Sequence, residues 1–298
     1  MTKKKHNILG EKLKDVLNQY CFQYKTKGGD AIDKVTGKTD ENFISDGFAD
    51  EKTYTKLKEP KVLFIGKEPH HFTERQSPII CEQSDFEKFE DWAYKPFYQN
   101  LIFYFYAIDS WYSSPEKYTF ELSDCNLKKD DGKTVNKLIE RFKKIAFINI
   151  KKWDTKDSTS RDTTIKQYAA EYKEPLRKQI KAIDPDIIFL CGTESAFDKL
   201  IDNGEWKKED GDFKNLSCLN CNKTDSQWFY FFTFKEEKKT RLVINYYHPS
   251  FTQRPGWIDV LALQNILRNA KTYMLKHNND EQFKYLLEKI NQVKINSL

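Results

Sequence analysis

The stretch VLFIGKEPHHF, residues 62–72, stops an apolar run at Gly66 and then sets an ammonium, a carboxylate, a proline and two imidazoles in succession. An acid, a base and paired imidazoles at the end of a strand could steady a developing charge or move a proton. Two other apolar runs end in polar residues. IAFINI (145–150) carries Asn149, and RLVINYYHP (241–249) leads into His248 and Ser250. The Asn149 amide offers a donor and an acceptor side by side.

Four short apolar runs must position these groups: KVLFIG (61–66), IAFINI (145–150), DIIFLCG (186–192) and RLVINYYHP (241–249). Near-continuous apolar runs of this length suit strands covered on both faces, as in a parallel sheet. Segments with helical spacing lie between them, at 97–108, 135–144, 165–183 and 195–201, and two more follow near 259–276 and 281–293. Strand and helix alternate, which predicts an α/β fold with right-handed crossovers. Ligands of such sheets bind beyond the carboxyl ends of the strands, so the three polar strand ends are expected to converge on one cleft. A helix is also expected over 8–24, with a polar loop running to about 58. The polar stretch 203–240, which ends in WFYFFTF, reads as a hairpin or an added edge strand.

Composition narrows the class. The chain has 298 residues, 39% of them hydrophobic, with 22 Phe, 16 Tyr and 6 Trp, enough for a sizeable core. The longest apolar stretches, at 100–108 and 227–234, fall short of the roughly 20 residues that cross a bilayer. The first residues lack the apolar core of a signal peptide, so a cytoplasmic location is expected. The six cysteines are scattered, and only Cys218 and Cys221 have ligand-like spacing, without a second pair nearby. No metal site and no cofactor is expected. The net charge of +5 is modest, so any DNA-binding face must be local.

In order along roughly residues 60–270, the motifs resemble those of the uracil-DNA glycosylase superfamily. VLFIGKEPHHF resembles its first motif, and KPFYQNL (95–101) the segment with the base-stacking Phe. AFINI (146–150) resembles the strand with the base-reading Asn, PDIIFLCGTESA (185–196) a structural strand, and YYHPSFTQRPGW (246–257) the His-Pro-Ser motif and its loop. The resemblance implies a three-layer sandwich around a mainly parallel four-stranded sheet. It implies a helical extension over 1–58, a catalytic domain over 59–276 with an insertion at 203–240, and a C-terminal helix over 277–298. Glu68 and His248 would be catalytic, the first orienting water or stabilising the sugar cation, the second donating to the leaving base. Gly66, His70, Phe97 and Asn149 would bind the flipped base. Lys67, Lys151, Lys152, Ser250, Phe251, Thr252 and Arg254 would contact DNA, and the protein would act as a monomer.

The residues also have plainer readings. Glu68 would serve as a helix N-terminal carboxylate, His248 as a structural turn histidine, Asn149 as a strand-end cap and Phe97 as core. Three departures from the superfamily pattern stand out. Glu68 replaces an Asp, His70 stands where uracil-specific enzymes place a Tyr against the pyrimidine C5 position, and Thr252 replaces a wedge Leu, a role Phe251 or Arg254 could take over. The early cysteine pair of the iron–sulfur branch is absent from the sequence. The resulting expectation is a monofunctional DNA glycosylase acting on a C5-modified cytosine in antiphage defence. Excision of uracil in repair is the competing substrate, and a catalytically silent DNA-binding protein of the same fold is the competing class. A nucleotide-processing enzyme would need a phosphate-cradling Gly-rich loop, which the sequence lacks.

Overall fold

The computed structural model describes residue 35 and residues 46–69, 96–113, 140–153, 160–201, 206–209, 228–234, 239–250, 256–277 and 281–296. The expected helix over 8–24 and the Cys218/Cys221 pair lie outside these described residues.

The four apolar runs form strands β2 (Val62–Gly66), β3 (Ile145–Asn149), β4 (Ile187–Cys191) and β7 (Thr240–Tyr246). β2 pairs in parallel with both β3 and β4, and β4 pairs in parallel with β7. The sheet is larger and more mixed than the four-stranded one expected. A short β1 (Gly47–Phe48) adds antiparallel to β3, and the hairpin β5 (Trp206–Glu209) and β6 (Phe229–Phe234) adds antiparallel to β7. The seven strands run in the order β1-β3-β2-β4-β7-β6-β5. The aromatic segment at the end of the 203–240 stretch is thus an added strand, with its hairpin partner at the sheet margin.

Alternate side chains of each central strand enter different cores. Val62, Phe64, Phe147, Phe189 and Ile244 pack with helices α2 (Pro96–Ser113), α6 (Gly256–Lys276) and α7 (Glu281–Asn296). Leu63, Ile65, Ile148, Leu190 and Val243 pack with α1 (Glu51–Lys56), α3 (Asp162–Glu171), α4 (Lys173–Ile183) and the single-turn α5 (Glu194–Phe197). Burial on both faces explains why these strands read as continuous apolar runs instead of alternating ones. The helix expected over 165–183 is two helices. They meet at Tyr172, three residues before Pro175 in the first turn of α4, and the proline has no N–H to continue the earlier helical ladder.

Two expected boundaries shift. Gly47–Phe48 pair with β3, and Tyr54 is wholly buried in the second core, so residues 46–58 belong to the sheet unit and not to an appended extension. Likewise α7 contributes Phe283, Leu286 and Ile290 to the first core.

The amino ends of the strands are tied by buried charge. Asp186 accepts from the Lys61 backbone N–H at 2.8 Å and stands 2.8 Å from the Lys239 ammonium. The fully buried Arg241 donates to Asp184 at 3.0 Å. Tyr285 of α7 has its phenol pushed far above the usual range, by burial first and then by Asp186. Asp186→Ala should therefore strand cationic groups in an enclosed site. We expect a loss of about 3 kcal/mol, read as a lower urea midpoint at unchanged slope.

Candidate functional site

β2 lies at a switch in the winding of the chain. The connection after β2 leads through α2 to β3 on one side, whereas the connection after β3 leads through α3 and α4 to β4 on the other. Segments leaving β2 and β4 therefore part in opposite directions and open a crevice at their carboxyl ends. Gly192, in the left-handed region at φ 66°, turns the chain at the end of β4. Its Cα brings the backbone beside both Lys67 and His248: a Cβ there would lie 3.5 Å from the His248 N and 3.8 Å from the Lys67 Cε. Thr193 Oγ1 donates to the Ile65 carbonyl at 3.0 Å and pins the two loops together.

Gly66 ends β2 opposite Asn149, which ends β3. The contact is close enough to require a glycine. A Cβ on Gly66 would stand 2.6 Å from the Phe147 ring and 2.7 Å from Asn149 Oδ1. On the other side the Asn149 backbone N–H donates to Asp46 Oδ2 at 2.6 Å. Asp46 is fully buried, and its Oδ1 also accepts from Lys152 Nζ at 2.5 Å and Gln179 Nε2 at 3.0 Å. Burial holds the Lys152 ammonium below the usual lysine range, with Asp46 pulling the other way.

The His248 loop closes the opposite wall. His248 Nδ1 accepts from the Ser250 backbone N–H at 3.2 Å, so a neutral ring carries its proton on Nε2 and can donate from there. Asn100 of α2, buried, donates to the Pro249 carbonyl at 2.6 Å. One turn earlier on the same helix, Phe97 lies with its ring centroid 5.7 Å from that of His248 and 5.6 Å from that of Phe147. Phe97, His248, Phe147, Asn149 and Gly66 thus form one contiguous set of contacts at the ends of β2, β3 and β7.

Glu68 is near but enclosed. Its side chain has no exposed surface. It accepts from the Ser160 backbone N–H and hydroxyl, and Lys151 Nζ stands 3.4 Å away. Lys151 also lies over the Tyr168 ring, 5.5 Å from its centroid.

Of the residues expected to act, the structure brings together Gly66, Phe97, Asn149 and His248, with Lys67, Glu68 and the exposed Ser250 alongside. His70, Phe251, Thr252 and Arg254 lie outside the described residues. Two expected DNA contacts are corrected. Lys152 has no exposed side chain because Asp46 holds it inside, and Lys151 is 7% exposed because it is folded onto Glu68 and Tyr168. Lys67 is partly exposed and pairs with Asp162 at 2.7 Å. Sequence reasoning missed Asp46, Asn100, Ser160 and Gln179. Only Asn100 stood in a quoted motif, one residue before its end, and Asp46 and Ser160 sit in polar stretches without local pattern.

Among the described residues no group of three or more His, Cys, Asp or Glu side chains is placed to hold a metal ion, and no helix is long and apolar enough to cross a membrane. Comparison with protein-family models and with curated proteins gives no match.

The contact at Gly66 has a direct consequence. In Gly66→Ala the methyl group must displace either the Phe147 ring, fixed in the core, or the Asn149 amide. We expect a stability loss of about 1–3 kcal/mol by chemical denaturation, the usual range for overpacking.

Proposed function

We propose that the protein is a monofunctional DNA glycosylase, which flips a pyrimidine nucleotide out of the helix and hydrolyses its N-glycosidic bond. The observation that carries this reading is the joint placement of an aromatic ring, Phe97, beside an imidazole, His248, with an amide, Asn149, at the end of β3, the strand whose Phe147 also meets Phe97. A flipped base needs those three things: a face to stack on, a reader of its polar edge and a donor to its leaving oxygen. The resemblance of the ordered motifs to the uracil-DNA glycosylase superfamily supports the same reading.

In this proposal His248 Nε2–H hydrogen-bonds the carbonyl oxygen on which negative charge grows as the base departs. Glu68, enclosed as it is, acts through its charge on the oxocarbenium-like sugar more than by handling water. The Lys151 ammonium, 3.4 Å away, offsets part of that charge. Expected effects differ accordingly. His248→Ala should cut single-turnover base release by about 10²-fold or more, the cost of one preorganised donor, with DNA binding kept within a few-fold. Glu68→Gln should show a loss of comparable size with the fold intact by circular dichroism. A near-wild-type rate in either variant would remove that residue from the chemistry.

The favoured substrate is a C5-modified cytosine, because His70 takes the place of a Tyr that would close the pocket at C5. The decisive experiment offers duplex oligonucleotides bearing uracil, a thymine mismatch, 5-hydroxymethylcytosine or its glucosylated form, followed by alkaline cleavage of abasic sites. Faster release of a modified cytosine supports the defence role. Equal or faster release of uracil would leave a repair enzyme, and no release from any duplex would leave a DNA-binding protein without this activity.

A further inference from the structure

The Asp46 cluster lies outside every motif that suggested the function, yet it holds the backbone of the residue proposed to read the base. Asp46 precedes β1 and is wholly enclosed. A buried carboxylate is costly unless its oxygens are saturated by donors, and here they are. Lys152 and Gln179 share Oδ1, at 2.5 Å and 3.0 Å, and the backbone N–H of Asn149 takes Oδ2 at 2.6 Å. Gln179 also donates to the Asp46 backbone carbonyl at 2.9 Å, so α4 fixes the residue from main chain and side chain together. The ladder from β2 resumes immediately beyond, with Ile150 N–H on the Gly66 carbonyl and Lys151 N–H on the Lys67 carbonyl, both at 3.0 Å. Asn149 is therefore held from β2 on one side and by Asp46 on the other, while its Oδ1 rests against the bare Cα of Gly66.

The two pyrimidine edges demand opposite things of an amide. Uracil offers a donor at N3 and an acceptor at O4, whereas cytosine offers an acceptor at N3 and a donor at its 4-amino group. An asparagine amide satisfies one edge in one orientation and the other edge only when turned over. The amide's orientation is set where its Oδ1 packs on the bare Cα of Gly66, and a backbone released from Asp46 would let the amide leave that packing and turn over. We infer that Asp46, backed by Lys152 and Gln179, is a positioning residue that fixes Asn149 and so decides which pyrimidine edge the site accepts. The inference rests on the glycosylase reading and adds to it a determinant of base choice remote from the reacting atoms.

The test separates the tie to Asn149 from the charge. Removing Asp46 alone would leave Lys152 enclosed without its counter-charge, so the variants are paired. Replacing a buried ion pair by neutral groups of similar bulk is commonly tolerated. Asp46→Ala with Lys152→Met removes the acceptor for the Asn149 N–H. Asp46→Asn with Lys152→Met keeps an amide oxygen there and discards only the charge. The readout is the ratio of single-turnover release rates from duplexes bearing uracil and 5-hydroxymethylcytosine.

We expect the Ala/Met pair to bring that ratio at least about tenfold nearer to one, and the Asn/Met pair to stay within about threefold of wild type. Equal ratios in wild type and in a folded Ala/Met protein would overturn the inference even if both rates fell, since a purely structural role lowers rates without altering choice. A folded Asn/Met protein that loses selectivity would overturn it too. Should the Ala/Met protein fail to fold by circular dichroism, Asp46→Ser with Lys152→Met replaces it, the hydroxyl being too short to reach Asn149. Wild-type protein that releases neither base would defeat the glycosylase reading itself, and this inference with it; that failure shows in the unmutated protein, not in the variants alone.

Discussion

A strand covered by helices on both faces has no place for a polar side chain except at its ends. That constraint governs this molecule. Strands β2, β3 and β4 are buried along their whole length, with side chains alternating between two apolar clusters. Every group capable of chemistry is pushed to a terminus, where it meets its counterparts from neighbouring strands. The same constraint accounts for the buried charge at both margins of the sheet. The buried Asp186 and Arg241 gather at the amino ends with the partly exposed Asp184 and Lys239, and Asp46, Lys152, Glu68 and Lys151 at the carboxyl ends. Each of these sites is tolerable because the ions are paired and hydrogen-bonded, which is the condition for enclosing them at all.

The central strands were legible because double burial writes itself into sequence as unbroken apolar runs. β1 was not, since two residues, Gly47 and Phe48, carry no period, and their pairing with β3 depends on partners about a hundred positions away. The break between α3 and α4 was signalled by Pro175 but hidden by the apolar spacing that continues across it. At the site, Gly66, Phe97, Asn149 and His248 could be found because each stands in a motif at a strand end or helix start. Lys151 and Lys152 misled for the opposite reason. Two adjacent lysines look like a solvated surface, and nothing local reveals that Asp46 and Glu68 wait for them inside.

Those two lysines also show how one short segment serves two ends of the site. Leaving β3, the chain places Asn149 at the crevice, then Lys151 on Glu68 and Lys152 on Asp46. Asn149 and the counter-charges of both carboxylates are therefore fixed by four consecutive residues. Ser160 completes the enclosure of Glu68 from the residue pair that precedes α3. The carboxylate is consequently anchored to the layer of helices on the α3 side of the sheet, whereas Phe97 belongs to the layer on the other side.

The hydrogen bond from Asn100 to the Pro249 carbonyl has a bearing on how such a pocket could change over evolutionary time. It rivets the helix that carries Phe97 to the loop that carries His248, so the two rings behave as a single jaw. Neither can retreat to admit a larger guest without dragging the other out of register. Any widening of the crevice on this side must therefore move α2 and the His248 loop together.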